Sequence, residues 1–444
     1  MTVIEEWMKS RGVTEVECLV PDMAGTPRGK IMPAHRFGRD EGVRLPESLF
    51  LQTVTGEYPN DTSTIHPAEI DMQLVPDVDT IRLVPWATDV TAQVIHDCEH
   101  HNGRPVKISP RYVLRRVLKL YEDKGWKPIV APELEFFLVA KNVDPDYPLV
   151  PPVGRSGRQE TVRQSYSIDA VNEFDPLFDD IYDYCEIQEI EIDTLIHESG
   201  AAQMEINFMH GDAMSRADQA FLFKRTVRET ALRHDMYATF MAKPMSGEPG
   251  SAMHIHQSVQ NIETGKNIFS NAAGRASDLF LSHIAGLQKY VPGAMVFFAP
   301  NVNSYRRIAR HDSAPINLKW GYDNRTVGFR APIAAPQARR IENRVSGSDT
   351  NPYLALAASL ACGYLGMIEG LKPEKPFKGN AYDLDYALPR NLDQSMDLLS
   401  ECEPLIEVLG EEFIEAYRAI KEREYETFFE VISSWEREFL LLNV

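Results

Sequence analysis

Five short stretches of this chain carry acidic, histidine or arginine side chains at spacings that catalysis uses. In PELEFFLV, Glu133 and Glu135 lie two apart inside an apolar run, so an extended backbone projects both carboxylates from one face. Burying such groups is costly unless a cation or hydrogen bonds compensate; the bland alternative is an edge strand with a solvated acidic face. HESGAAQMEINF adds Glu198 and Glu205. Seven residues apart, they share a strand face only if the Gly-Ala-Ala stretch turns or bulges, and an ordinary loop is the alternative. SAMHIHQSV sets His254 and His256 two apart on one face, a pattern for metal or phosphate contact and equally for a packed core pair. ARRIENRV places Arg340, Glu342 and Arg344 at period two, either on a solvent face or around an anionic ligand that arginine grips bidentately.

Carboxylate-rich sites select hard cations, Mg²⁺ or Mn²⁺, over zinc. The stretch NSYRRIARHDSAPINLKWGYDNRTVGFRAP adds Arg306, Arg307, Arg310, Arg325 and Arg330 to a chain that is otherwise acidic. Two hard cations beside arginines are a device for phosphoryl transfer. The residues therefore point to a Mg²⁺-dependent, ATP-using enzyme with an anionic co-substrate, and leave the acceptor open.

These stretches need strands to hold them. VTEVECLV and DTIRLVPW, interrupted by PDMAGTPRGK, read as strands and turns of a small, mostly β unit. A turn-rich segment at 101–110 then leads into the helical RYVLRRVLKLYEDKG, so the division is expected near residue 105, giving units 1–105 and 106–444. Beyond it, PIVAPELEFFLV, AAQMEINF, ATFMAKP, AMHIHQSV and ARRIENRV read as strands. They alternate with helices at ADQAFLFKRTVRETALRHD, ASDLFLSHIAGLQKYV and NPYLALAASLACGYLGMIEG, and in the acidic tail from 393. That alternation predicts an α+β or α/β catalytic unit. The Pro/Gly-rich segment 142–165 reads as a long functional loop.

Much chemistry is excluded. The chain has no G-x-x-x-x-G-K-[ST], no G-x-G-x-x-G after a strand, no G-x-S-x-G and no H-E-x-x-H. Its 46 Lys+Arg against 65 Asp+Glu give −19, which repels a phosphate backbone, so nucleic acid is not an expected partner. No run of 18 apolar residues exists and the N-terminus lacks an apolar leader, so neither a membrane span nor secretion is expected. Five cysteines, widely spaced and never as C-x-x-C, argue against a disulfide framework and for a cytoplasmic protein.

The ordered set PELEFF, HESGAAQME, FMAKP, GSAMHIHQS, NSYRR, NR-x₄-R, ARRIENR and NPYLALAA resembles the glutamine synthetase superfamily, from the first unit to about residue 370. The resemblance implies an α+β fold: a β-grasp N-terminal domain and a large catalytic domain with a curved antiparallel sheet flanked by helices. It implies a homo-oligomer, a dodecamer of two hexameric rings with active sites between subunits. Two or more Mg²⁺ or Mn²⁺ ions would bind, one on Glu135, Glu198 and Glu205 and one on Glu133, His254 and Glu342. ATP would lie along His256 and Ser258, with Arg325, Arg330 and Arg340 at its phosphates and Asp193 nearby; Gly250, Arg307 and Arg344 would bind glutamate. Arg325, Arg307 and Glu342 would be catalytic. In that family ATP phosphorylates the glutamate γ-carboxylate, and an amine attacks the acyl phosphate.

Two departures redirect the acceptor. Six residues after Arg307, where glutamine synthetases carry an ammonium-binding acid, this chain has Ser313. The family's Asp-Gly-Ser-Ser stretch is replaced by RLPESLFLQTVTGEYPND. Ammonium needs close carboxylates to replace its water and take a proton. A serine removes charge and opens volume, which suits an alkylamine. The chain thus resembles the γ-glutamylpolyamine synthetase branch, acting on putrescine, spermidine or spermine, with Glu47, Glu57 or Asp61 as candidates to meet the distal ammonium. The alternatives are a monoamine ligase for methylamine or ethanolamine, glutamine synthetase proper, or a non-catalytic relative. Tyr382, in a NAYDL segment, is similar in setting to the adenylylated loop of bacterial glutamine synthetases, but its neighbours differ.

Overall fold

The computed structural model describes residues 3–37, 42–310 and 313–444. After helix α1 (Val3–Arg11), strands β1 (Glu15–Pro21), β2 (Pro27–Pro33), β3 (Val43–Pro46), β4 (Asp71–Pro76), β5 (Arg82–Leu83) and β6 (Thr91–Glu99) make one sheet, ordered β2-β1-β6-β4-β3 with β5 also on β6. The pair β1–β6 is parallel and the others antiparallel. Val16, Cys18 and Val20 of β1 have no exposed surface, which is the period-two burial that VTEVECLV predicts.

The second sheet contains β7 (Trp126–Ala140), β8 (Ile192–His197), β9 (Gln203–Phe208), β10 (Gly211–Asp212), β11 (Met236–Thr239), β12 (Met253–Asn261), β13 (Trp320–Tyr322), β14 (Phe329–Ala331) and β15 (Ile341–Asn343). Its path is β13-β14-β15-β12-β7-β9-β8, with β10 and β11 also on β7, and it is antiparallel except for β13–β14. The 15-residue β7 is long enough for each edge to serve two partners. One edge takes β12 along 126–134 and β11 along 137–140; the other takes β10 and β9. This explains why ATFMAKP is a strand only as far as Thr239: Glu135 N already bonds Ala252 O, so β12 occupies the edge beyond. ARRIENRV is likewise strand only at Ile341–Asn343, with Arg340 and Arg344 flanking it.

The helices are α2 (Pro110–Glu122), α3 (Ile168–Asn172), α4 (Asp175–Ile187), α5 (Ala213–Arg233), α6 (Asp278–Phe298), α7 (Pro352–Glu369), α8 (Leu392–Ser400), α9 (Glu403–Leu409), α10 (Glu411–Phe429) and α11 (Ser434–Leu440). The segment 142–165 contains no helix or strand, as its composition predicts. Apolar α7 is long enough to cross a bilayer, yet every residue from Pro352 to Met367 is buried, so it is the central core helix. Its backbone meets that of α6 directly: a Cβ at Gly366 would lie 2.2 Å from Ser282 O, and one at Gly286 would lie 2.2 Å from Cys362 O. The Asn351 side chain caps α7 through Oδ1, while its Nδ2 donates to Asp22 O (2.8 Å) beside β1. Arg111 on α2 is almost wholly buried and ties Asp77 and Asp97 of the first unit (2.6 Å each) to Asp218 of α5 (2.9 Å).

Candidate active site

Adjacent strands of the second sheet bring the period-two residues together. In the antiparallel register Glu133 of β7 faces His254 of β12, Glu135 faces Glu205 of β9, and His256 faces Glu342 of β15. HESGAAQMEINF forms a hairpin rather than one strand: Glu198 follows β8 and its N–H bonds Gln203 O, so the turn returns Glu205 beside it. Three groups result, in each of which one potential ligand atom per residue lies within 4.8 Å of the others: Glu135, Glu198 and Glu205; Glu133, Glu205 and His254; and Glu133, His256 and Glu342. The six expected metal ligands are thus gathered, and His256 joins them.

The electrostatics of this cluster call for cations. Burial and then Glu198 push the Glu135 carboxyl up to about 8. Burial, followed by Glu133, Glu135 and Glu198, drives Glu205 well above the usual carboxylate range, and burial also raises Glu198. Two acids go the other way. Burial opposes ionisation of Glu133, but the His256 and His254 imidazoles outweigh it. Against the same opposition, Arg344 pulls Glu342 down to about 2. Burial and Arg344 lower His254 to about 4, leaving a neutral imidazole with a lone pair to give. Its Nδ1 is buried without a hydrogen-bond partner, 3.4 Å from Glu133 and 3.9 Å from Glu342. An orphaned imidazole nitrogen among crowded carboxylates fits hard divalent cations.

Two cavities meet at this cluster, sharing Glu133 and Asn207. The larger, about 430 Å³, is lined by Asp193, His256, Ser258 and Arg340, with apolar Ile129, Val130 and Phe208. His256 is fixed there between Glu133 (Nε2 to Oε1, 2.8 Å) and the Arg340 Nε donor (3.0 Å). The smaller, about 290 Å³, holds Glu135, Glu198, Glu205, His254, Glu342, Gly250, Arg307, Arg325, Arg330, Arg344 and Ser313. Arg325 and Arg330, expected beside Arg340, therefore stand across the acid cluster from it. Arg330 and Arg344 both pair with Glu342. Arg307 is buried, its guanidinium donating to Val345 O (2.8 Å) and Arg344 O (3.0 Å). Gly250 is required by close approach: a Cβ there would lie 2.5 Å from Arg307 Cγ and 2.6 Å from Ala242 O.

Ser313 lies at this cavity with a left-handed backbone (φ 62°). Tyr382 sits close enough for Arg344 and Arg307 to influence its phenol, though burial is the stronger effect and raises it. Glu47, Glu57 and Asp61 do not reach either cavity within this chain. Glu47 is buried near His100, Glu57 pairs with Arg423 of α10, and Asp61 accepts from Ser63 N on the surface. Sequence reading missed Tyr166, Ser199, Gln203 and Asn207, which all line the smaller cavity. Asn207 follows Glu205 at the same period of two, so the rule that found the acids reaches it. Tyr166 has no such signal: it ends the long loop with φ 65°, its N–H bonded to His197 O (2.9 Å). That loop is strapped to the hairpin by Glu160, which accepts from His197 Nε2 (3.0 Å) and Ala202 N (2.7 Å).

Residues 107–440 match the family model described as glutamine synthetase, catalytic domain. Among curated proteins, gamma-glutamylputrescine synthetase PuuA of Escherichia coli (strain K12) is 36% identical over 441 residues, spanning 96% of this chain and 92% of that protein. Glutamate–isopropylamine ligase of Pseudomonas sp is 32% identical over 449 residues, spanning 98% and 96%. A glutamine synthetase of Pyrococcus abyssi is 31% identical over 428 residues, spanning 94% and 92%. Among solved structures, ligand-free GmaS superposes over the whole of both chains with a TM-score of 0.86 at 25% identity.

Proposed function

Because the chain belongs to the glutamine synthetase family and is an ATP-dependent glutamate–amine ligase, we propose that its amine is a diamine or polyamine of the putrescine type. One observation carries this reading: among the described residues, every carboxylate on the smaller cavity belongs to the acid cluster. None is left over for ammonium; Ser313, Ala314 and the exposed Tyr166 line the same cavity, and in this reading they border the amine. An alkyl chain packs against an aromatic wall, and a distal ammonium gains from its π face.

In this reading Glu135, Glu198 and Glu205 hold one divalent cation and Glu133, His254 and Glu342 another. Bound there, divalent cations would supply Lewis-acid neutralisation of phosphate charge. His256, Ser258, Arg340 and Asp193 hold ATP in the larger cavity; Gly250, Arg307 and Arg344 hold glutamate in the smaller. A γ-carboxylate oxygen attacks the terminal phosphorus and ADP leaves, while Arg325 and Arg330 balance the charge in transfer. The amine nitrogen then attacks the acyl carbon of γ-glutamyl phosphate, releasing phosphate and a proton. The shared wall at Glu133 and Asn207 supports this transfer, because both cavities open on the acid cluster.

The reading extends to the whole assembly. A division near residue 105 agrees with strands that stop at Glu99 and a helix that starts at Pro110. A ring-shaped dodecamer would cover the exposed Phe429, Trp435, Leu441 and Leu442 at the C-terminus, and would give Glu47, Glu57 and Asp61 a neighbour's cavity to face. Five unpaired cysteines agree with a cytoplasmic setting. An uncharged Ser313 on this cavity also suits a short monoamine such as methylamine or ethanolamine, the second reading.

The deciding experiment is ADP release with ATP, Mg²⁺ and glutamate while only the amine varies among ammonium, methylamine, ethanolamine, putrescine and spermine. Turnover with the diamine or polyamine and little with ammonium is expected. Turnover confined to ammonium or the monoamines overturns the polyamine assignment.

A further inference from the structure

Lys224 lies on α5, outside both cavities, and no step above uses it. It is 6% exposed, and burial, reinforced by Arg228, pulls its amine down to about 7. An apolar side chain would occupy this place without that penalty. What the amine does is local and specific: Nζ donates to Ser348 O and to Thr350 O, 2.6 Å each.

Both acceptors belong to the turn 346–350 that joins β15 to α7, and this turn bonds β7, the 251–253 stretch that opens β12 and the 301–304 loop. Ser348 Oγ donates to the carbonyl of Glu135 (2.5 Å), and Ser348 N donates to Ser251 O (3.0 Å), beside Gly250. Ser346 O accepts from Met253 N (3.0 Å), next to His254. Asp349 accepts from Asn301 (2.8 Å) and Ser304 (2.6 Å), and Ser304 O in turn accepts from Arg307 N (3.2 Å). The larger cavity's His256, Ser258 and Arg340 make no bond to the turn among those described.

We propose that Lys224 is a positioning residue: by clamping two carbonyls of the 346–350 turn it sets the spacing between the Glu135 metal group and the Arg307–Gly250 cradle. The inference rests on the reading of the glutamates as metal ligands. Its cause is geometric, since Lys224 Nζ donates to two carbonyls of the turn and the turn itself bonds Glu135 and Ser251 through Ser348.

The test uses full-length Lys224→Met and Ser348→Ala, the second removing only the hydroxyl under Glu135. Free Mn²⁺ is followed by electron paramagnetic resonance in a titration without substrates, with KM for glutamate and for ATP measured alongside and circular dichroism checking folding. Lys224→Met is expected to weaken Mn²⁺ binding by about tenfold, the usual effect of losing a group that orients ligands. It should raise KM for glutamate more than KM for ATP. Ser348→Ala is expected to move both in the same direction by less, and decides alone if Lys224→Met does not fold. Folded variants with wild-type Mn²⁺ affinity and KM for glutamate overturn the positioning role. A wild-type chain that binds no Mn²⁺ overturns the metal reading, and the proposal with it.

Discussion

Glu342 has no exposed surface, and against that burial Arg344 above all keeps it ionised, while Arg330 also bonds it. Glu342→Gln keeps the shape and removes the charge, leaving Arg344 buried without its counter-ion. A fall in kcat/KM of about 10²–10³-fold is expected, since a preorganised charge at a transferring phosphate is worth that much. Stability should fall by about 3–5 kcal/mol as an unpaired buried charge is created. Steady-state kinetics and a urea melt read the two effects separately. Ser313→Glu probes the acceptor instead: it returns a carboxylate to the smaller cavity, so the ratio of ammonium to putrescine turnover should rise. An unchanged ratio would mean that Ser313 does not border the amine. Residues at this scale were legible where the backbone is extended. Glu133 with Glu135 and His254 with His256 share faces because strand side chains alternate. Tyr166 was not legible, because its place depends on a left-handed backbone and on a loop held by Glu160 from outside its own sequence.

At the scale of elements, the contact between α6 and α7 leaves no room for a methyl group. Gly366→Ala would place its Cβ 2.2 Å from Ser282 O and 2.5 Å from Gly286 Cα, both backbone atoms that cannot swing aside. Overpacking there should cost about 1–3 kcal/mol or more, seen as a lower urea midpoint with the slope unchanged. Helix propensity alone predicts the opposite sign, because alanine is the better helix former. Periodicity marked both helices, and α7 ends where Gly370 adopts φ 62°. What periodicity could not give was strand length. ARRIENRV holds its three charged residues at period two, yet only Ile341–Asn343 pair; a neighbouring strand, not the local sequence, decides where pairing stops.

Across the whole molecule, acid should unfold this protein earlier than its carboxylates alone imply. Burial lowers His96 to about 4 and His283 to about 3, and the Nε2 of each is buried without a partner. The unfolded chain takes up these protons near pH 6.5, the folded chain only well below, so stability is intact above 6.5 and is lost as pH falls toward 4. His96 alone accounts for up to about 3 kcal/mol of that loss. Melting curves between pH 7.5 and 4.5 should show the decline, and His96→Gln should flatten it. The order of the segments along the chain has a separate consequence. Glu133 and Glu135 come from β7, Glu198 and Glu205 from the hairpin, His254 from β12, while Glu342 and Arg344 arrive only at β15, after three-quarters of the chain. A ribosome emits residues one by one, so the nascent protein carries four mutually repelling carboxylates before their arginine counterweight exists. The acid cluster therefore cannot be completed until Glu342 has emerged, with helices α7 to α11 still to follow.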